Sequence, residues 1–294
     1  MKRIYVMGSL NMDLSLETKR FPQAGETLMG ENYIASPGGK GENQAIAAAY
    51  YGSDVKILGA VGDDHFGEEI KLNLKKFKVD VSNVLVKSEA RTGVAFITVA
   101  HTDNTIVVSP GANALVNEDD VDRFLEDAQE GDIFVSQLEL PLSTVSYALQ
   151  IAKNRKMKTI LNPSPATDKI LDVLPLCDFL IPNQSELFIL RDTIDVAKAS
   201  KQDTALNTIV TLGDKGVHYI DEDVKFKAYE PENAIDTTGA GDCFIGAFAS
   251  MIARGEKVIH AVDFARCAAS LSCQKRGTSE ALRPFSEVEK AMEK

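Results

Sequence analysis

The chain has 294 residues, 44% of them hydrophobic and 26% charged, which is enough for one large α/β domain with a sizeable core and argues against disorder. Its formal net charge is −11 and it has no block of basic residues longer than short pairs such as Lys75-Lys76 and Lys275-Arg276, so no nucleic-acid partner is expected. No apolar run is long enough to span a bilayer and no leader-like start precedes the first strand, so a cytoplasmic protein with no membrane partner is expected. The cysteines Cys177, Cys243, Cys267 and Cys273 lack C-x-x-C spacing and read as reduced core thiols.

In chain order, residues 3–9 read as a buried strand, followed by the polar pair Asn11 and Asp13 and a half-exposed strand around Leu14–Glu17. The run Gly38-Gly39-Lys40-Gly41-Glu42-Asn43 opens an Ala-rich helix over about 42–51, closed by Gly52. A second buried strand spans 55–61, and an amphipathic helix runs through Phe66, Ile70, Leu74 and Phe77. Residues 92–100 and 104–109 form a hairpin about His101–Asn104. A helix starts at Asn117, with acids in its first turn.

From Asp132 the rhythm is regular. Strands at 132–138, 157–161, 177–181 and 208–212 alternate with helices near 142–155, 168–174 and after Glu186. Short strands at 217–221 and 224–229 and helices over 241–253 and 256–275 complete the pattern. Such alternation implies a doubly wound, mostly parallel sheet with helices on both faces. The early polar strands and the hairpin fall outside it, as a small β lid of about 11–36 and 91–109 on a single domain covering 1–294. Ligands of such sheets sit at the carboxyl ends of strands. That is where Asn11/Asp13, Glu139, Asn162, Asn183/Glu186 and Thr211–Gly216 fall.

The stretch Asp236-Thr237-Thr238-Gly239-Ala240-Gly241-Asp242 precedes an apolar helix. Its small residues admit a ligand to the backbone, and free N–H groups at a helix start favour an anion. Asp242 beside such a hole can take a proton from a nucleophile, although an acid in a first turn also simply complements the helix dipole. The glycine run at 38–41 is not a Walker A loop, because Gly41 follows Lys40, and no G-x-G-x-x-G follows the first strand. Alone, it is equally a loop-to-helix turn. Likewise Asp13 could close an Asx turn, Glu139 cap a helix before Pro141, Asn183–Glu186 form a capping box, and Thr211–Gly216 be a strand-to-strand turn.

Gly38–Ala45, with Gly52 and Gly62 downstream, resembles the first signature of the ribokinase-like (PfkB) carbohydrate kinases, and Asp236–Asp242 resembles the second. The resemblance covers nearly the whole chain in the right order, including Gly8–Asp13, Ser109–Asn113 and Gln137–Glu139. It implies ATP-dependent phosphorylation of a sugar, with D-ribose at its 5-hydroxyl expected and a deoxypentose, a hexose or a nucleoside as alternatives. A non-catalytic sugar- or nucleotide-binding protein is the rival from another class. By the resemblance Asn11, Asp13, Gly39, Lys40, Asn43 and Glu139 bind the sugar, and Asp242 is the base over the N–H groups of Gly239, Ala240 and Gly241. Asn183, Thr211, Leu212, Gly213, Asp214, Lys215, Gly216, Gly241 and Arg266 line ATP, and Glu186 acts on Mg²⁺ through water. Asp236, Thr238, Ser272, Lys275 and Gly277 match a K⁺ site, where Ala281 replaces a frequent serine and so lacks its side-chain oxygen. The segment between Leu190 and Asn207 is short for the family, and a homodimer through the lid is expected.

Overall fold

A computed structural model describes residues 1–101, 103–199, 206–230 and 233–293. In chain order the elements are β1 (Ile4–Met7), β2 (Asn11–Thr18), β3 (Glu31–Gly38), α1 (Lys40–Tyr50), β4 (Val55–Gly62), α2 (His65–Lys76) and β5 (Asp80–Lys87). Next come β6 (Gly93–Ala100), β7 (Asp103–Ser109), α3 (Glu118–Phe124), β8 (Ile133–Ser136), α4 (Leu142–Asn154), β9 (Lys158–Leu161) and β10 (Phe179–Leu180). The chain ends with α5 (Gln184–Ala199), β11 (Asn207–Thr211), β12 (Val217–Tyr219), β13 (Val224–Phe226), α6 (Ala240–Ala253), α7 (Val258–Ser272) and α8 (Phe285–Met292).

The main sheet has the order β13-β12-β11-β10-β9-β8-β1-β4-β5. It is parallel from β11 to β5, while β12 and β13 add antiparallel at one edge. Alternation along β1 explains why both faces are covered. Ile4 and Val6 share a core with Phe244 and Phe248 of α6 and Val262 of α7, whereas Tyr5 and Met7 share one with Phe124 of α3 and Val145 and Leu149 of α4. The doubly wound α/β expectation is borne out.

The second sheet, β3-β2-β6-β7, stands apart from the first. β2 leaves the end of β1 after only Gly8, Ser9 and Leu10, so the first residues of the small sheet stand at the carboxyl edge of the large one.

Helix α6 is apolar on nearly every side, as a helix enclosed by others must be. It lies close to α1 because position 246 is glycine: a Cβ there would sit 2.5 Å from the Ala47 Cβ and 2.6 Å from the Gln44 carbonyl oxygen. That close approach sets the start of α1 against the start of α6.

Two elements lie outside the sequence-based expectation. The segment 80–87 is an edge strand paired only with β4; its polar Ser82 and Asn83 interrupt any apolar run, and only one edge of it is bonded. Helix α8 follows Pro284 and buries just Val288 and Ala291. The expected short helix at 168–174 is two 3₁₀ turns, Asp168–Ile170 and Leu174–Leu176. The part of the shortened 190–207 segment at 200–205 lies outside the described residues, as does Thr102 of the hairpin turn. No helix among the described residues is long and apolar enough to cross a membrane.

Candidate active site

The first wall of the site is built by glycine geometry. Gly39 caps α1 with φ 92°, and a Cβ on it would lie 2.8 Å from the Ser9 carbonyl oxygen and 2.9 Å from the Asn11 nitrogen. Only glycine combines that left-handed conformation with that closeness. A Cβ on Gly38 would come within 2.3 Å of the Asp13 carboxylate. The loop is thus pressed against the β1–β2 crossing, which brings Asn11, Asp13, Lys40 and Asn43 together. Asn11 is buried at 2% exposure and its Oδ1 accepts from Asn113 Nδ2 at 2.9 Å. Asn113 also clasps the Leu10 backbone, donating to its carbonyl at 3.1 Å and accepting from its N–H at 3.0 Å.

Glu139 arrives from the end of β8. Its carboxylate accepts a very short hydrogen bond from the Ser9 hydroxyl, and Ser9 Oγ in turn accepts from the Lys40 backbone N–H at 3.1 Å. Ser9 therefore splices three segments.

The second wall is the start of α6. Gly239 is the N-cap in the left-handed region, φ 72°, and a Cβ on it would meet Thr278 at 2.7 Å. A Cβ on Gly241 would meet nothing within 4 Å, so the first turn of α6 faces open space. Asp242 follows, with both oxygens held from α1: Oδ2 accepts from Asn43 Nδ2 at 3.2 Å and Oδ1 from Gln44 Nε2 at 2.8 Å.

Three carboxylates and one ammonium meet here. Burial, with Glu139 and Asp242 adding repulsion, pushes the Asp13 carboxyl up to about 7 against the pull of Lys40. Burial also raises the Glu139 carboxyl, opposed by Lys40 and the Ser9 hydrogen bond. Burial alone would lower the Lys40 ammonium, but Asp242, Glu139, Glu186 and Asp13 outweigh it and the net shift is upward. Lys40 is the cation about which these acids are arranged.

A cleft of about 150 Å³, open to solvent, runs from Lys40, Gly241 and Asp242 to Asn183, Glu186 and Thr211. Asn183 and Glu186 form a reciprocal capping box, each side chain accepting from the other's backbone N–H at 2.8 Å. The capping geometry and a place in the cleft coexist. Thr211 bridges to Asn183, and Gly213 to Lys215 form an exposed 3₁₀ turn after Leu212. Gly213, at φ 62°, faces open space, as a ligand-lining residue would. Gly216 does not: its Cβ would fall 2.0 Å from the Phe226 carbonyl oxygen, so its close approach is to β13. Arg266 of α7 binds Asp263 and donates to the Lys227 carbonyl at 2.9 Å, at the end of β13.

The loop before α6 is fixed by Asp236, whose oxygens accept from the N–H groups of Thr238 at 2.9 Å and Gly277 at 3.1 Å. Ser272 donates its hydroxyl back to the Ala269 carbonyl at 2.8 Å. Lys275 and Gly277 are exposed, and Ala281 is buried with no side-chain oxygen to offer. Among the described residues no group of three or more His, Cys, Asp or Glu could hold a metal ion. A hard ion that keeps its waters and leans on Glu186 alone suits that arrangement; a protein-only cage does not.

Ser9, Gln44, Asn113, Gln137 and Asn162 also build the site. Ser9 and Gln44 lie inside the quoted motifs, but their partners are about 100 to 200 positions away, which local spacing cannot reveal. A larger groove, lined by Lys2, Tyr5, Asp127 and Arg254, lies at the opposite, amino-terminal edge of the sheet. None of Lys40, Glu186, Gly239, Gly241 and Asp242 lines it, whereas all five line the smaller cleft, so we place the chemistry there.

Residues 1–284 match the profile of the pfkB family carbohydrate kinases. The chain belongs to that family. It is 37% identical to a ribokinase of Schizosaccharomyces pombe, over 98% of this chain and 97% of that one. It is 38% identical to a deoxyribokinase of Salmonella typhimurium, over 94% of each. The solved structure of a ribokinase from Thermotoga maritima superposes with a TM-score of 0.87 at 30% identity, covering 100% of both chains. That of an Arabidopsis thaliana ribokinase complexed with ribose and ATP does so with a TM-score of 0.86 at 27% identity, covering 100% of this chain and 99% of the other.

Proposed function

We propose that this chain transfers the γ-phosphoryl group of ATP to the 5-hydroxyl of D-ribose, giving ribose 5-phosphate and ADP. The observation that carries the reading is the position of Asp242. It sits between the α6 start, where Gly241 leaves open space, and a polar pocket of Asn11, Asp13, Lys40, Asn43 and Glu139.

In this reading the pocket matches the sugar hydroxyls with donors and acceptors, and an unmatched group there costs about 1–3 kcal/mol. Asp242 takes the proton of the 5-hydroxyl as its oxygen bonds to the γ-phosphorus. The bond from that phosphorus to the β–γ bridging oxygen breaks, and ADP leaves with the electron pair. The N–H groups of Gly239, Gly241 and Asp242 hold the charge on the transferring group, and that of Ala240 joins them on leaving the Thr237 carbonyl, to which it donates at 3.2 Å. Thr211 to Lys215, Asn183 and Arg266 flank the nucleotide, and Gly216, pressed on β13, lets that turn close behind them. Mg²⁺, with Glu186 reaching it through water, would neutralise charge on the phosphates. Backbone oxygens about Asp236, Thr238, Ser272, Lys275 and Gly277 would hold K⁺, with Ala281 contributing no side-chain oxygen.

The lid of about 11–36 and 91–109 belongs to the single domain 1–294 and closes over the sugar to exclude water. Its exposed Phe96, Ile106, Val107 and Val108 fit a second copy of the chain in a cytoplasmic homodimer. A monomer by light scattering would remove that part of the reading. The deoxyribokinase similarity favours a second sugar, 2-deoxyribose.

The deciding experiment is ADP release from Mg-ATP with D-ribose, 2-deoxyribose, fructose or adenosine, in Na⁺ and in K⁺. Ribose-dependent turnover, lowered about 10²-fold or more in Asp242→Asn with sugar binding kept, is the expected result. Binding without turnover on any substrate would replace the kinase by a binding protein.

A further inference from the structure

Gln44 is fully buried, and three hydrogen bonds, both of its donors and one to its oxygen, order its amide about the base. Nε2 donates to Asp242 Oδ1 at 2.8 Å and toward Asn162 Oδ1 at 3.3 Å. Oε1 accepts from Gln137 Nε2 at 2.6 Å. The direction of this chain is fixed at its far end: Asn162 Nδ2 donates to the Ile181 backbone carbonyl at 3.0 Å, so the Asn162 oxygen must face Gln44. A reversed Gln44 amide would set its oxygen against two acceptors at once.

Gln137 supplies an independent observation. It is 1% exposed, and its Oε1 has no hydrogen-bond partner among the described residues. The space on that side is shut by the chain, since a Cβ on Gly8 would lie 2.1 Å from that oxygen. Turning the amide over would place oxygen against the Gln44 oxygen. An unpaired buried acceptor is costly, and an apolar side chain would fill the same place without it. Among the described residues, what the glutamine amide gains is its donation to Gln44.

We propose that Gln44, locked by Gln137 and Asn162, is a positioning residue that fixes the carboxylate plane of Asp242 for proton transfer. The proposal rests on reading Asp242 as the general base. Asn43 holds Oδ2 and Gln44 holds Oδ1, so the carboxylate cannot rotate, and each oxygen keeps acceptor capacity for the hydroxyl. The close packing of α1 on α6 at Gly246 keeps Gln44 in reach.

The test compares Gln44→Leu, Gln44→Glu, Gln137→Leu and the Gln44→Leu/Gln137→Leu pair. Gln44→Glu preserves shape but removes the donor. Ionised, it repels Asp242; protonated, it shares its proton with the base. We expect kcat to fall roughly 10- to 100-fold in both Gln44 variants, with KM for sugar and ATP within about 3-fold. Gln137→Leu should lower kcat less, and the pair should be no worse than Gln44→Leu alone, because Gln137 acts through Gln44. A packing role gives the opposite order: Gln44→Glu near normal, and Gln44→Leu and Gln137→Leu additive, with KM and melting temperature moved. That result overturns the proposal. Crystal structures of the wild type and Gln44→Leu decide without activity, since a rotated Asp242 carboxylate supports the role and an unmoved one refutes it. A wild type inactive on every sugar would sink the kinase reading by itself, and the crystallographic comparison would still judge the positioning.

Discussion

The substitution Asp13→Asn should stabilise the ligand-free protein, and more so as pH rises. Asp13 lies on β2 opposite Ser36, and its carboxyl is raised from 3.8 to about 7, by burial first and by Glu139 and Asp242 next. The unfolded carboxyl ionises near 3.8, so between the two values the folded chain holds the extra proton and stability falls as pH rises. Above 7 the cost is complete. A displacement of that size corresponds to about 4 kcal/mol if fully expressed. Asp13 is only half-buried, and solvent screening reduces this to about 2 kcal/mol. The asparagine side chain is neutral throughout, so the melting temperature at pH 8 should rise by roughly 2–4 °C, and the gain should shrink as pH falls toward 4. Sugar affinity should drop by roughly 10- to 100-fold in the same variant, because a charged acceptor is lost. Calorimetry at pH 4.5, 6 and 8, with sugar titrations beside it, reads both effects. A variant less stable than wild type at pH 8 would mean that Asp13 is charged and well paired in the free protein, and the burial argument would fail.

The remaining expectations concern single positions. Gly241→Ala should raise the melting temperature slightly, since its Cβ meets nothing and alanine favours the helix by about 0.5–1 kcal/mol, yet cut turnover at least about 10-fold by filling the phosphoryl space. Unchanged kcat would place that group elsewhere. Gly39→Ala combines a left-handed φ of 92° with a Cβ 2.8 Å from Ser9 oxygen, so it should lose about 2 kcal/mol or more in denaturant unfolding along with sugar binding. An alanine there without loss would refute the close-packed crossing. Ala281→Ser restores an oxygen at a buried position and should increase the ratio of turnover in K⁺ to that in Na⁺; an unchanged ratio would separate Ala281 from the cation loop.

What the sequence revealed and what it hid divide along the range of the interactions. Gly39 and Gly239 were legible because a left-handed turn before a helix is a local demand that glycine alone meets well. Glu186 was legible twice over, since Asn183-x-x-Glu186 is a complete capping box within four residues. Gly216 was read as lining the nucleotide, and the reason for its glycine was out of reach: Phe226 presses on it only once β12 and β13 fold back. Gln44 sat inside a quoted motif and still escaped, because its meaning lies in Asp242, 198 positions on. Strand β5 was hidden for a physical reason too. It is bonded along one edge only, so Ser82 and Asn83 can stay in a strand without an unbroken apolar run.

The acidity of the chain sharpens the argument for a local site. With a net charge of −11 the overall field repels a nucleotide, and Asp13, Glu139 and Asp242 add three carboxyl groups at the pocket itself. Anion binding there must come from groups fixed in place: Lys40, whose ammonium those acids reinforce, and the open start of α6 beside Gly241. Fixed dipoles of this kind act over a few ångströms and are little screened, whereas a long-range field weakens with salt. Nucleotide affinity should therefore change less than about 3-fold between 50 and 300 mM of a salt whose ions do not bind at the site, while Lys40→Met should weaken it far more. A steep salt dependence in isothermal titration would mean that scattered surface lysines capture the nucleotide, and the glycine-built α6 start would lose its role.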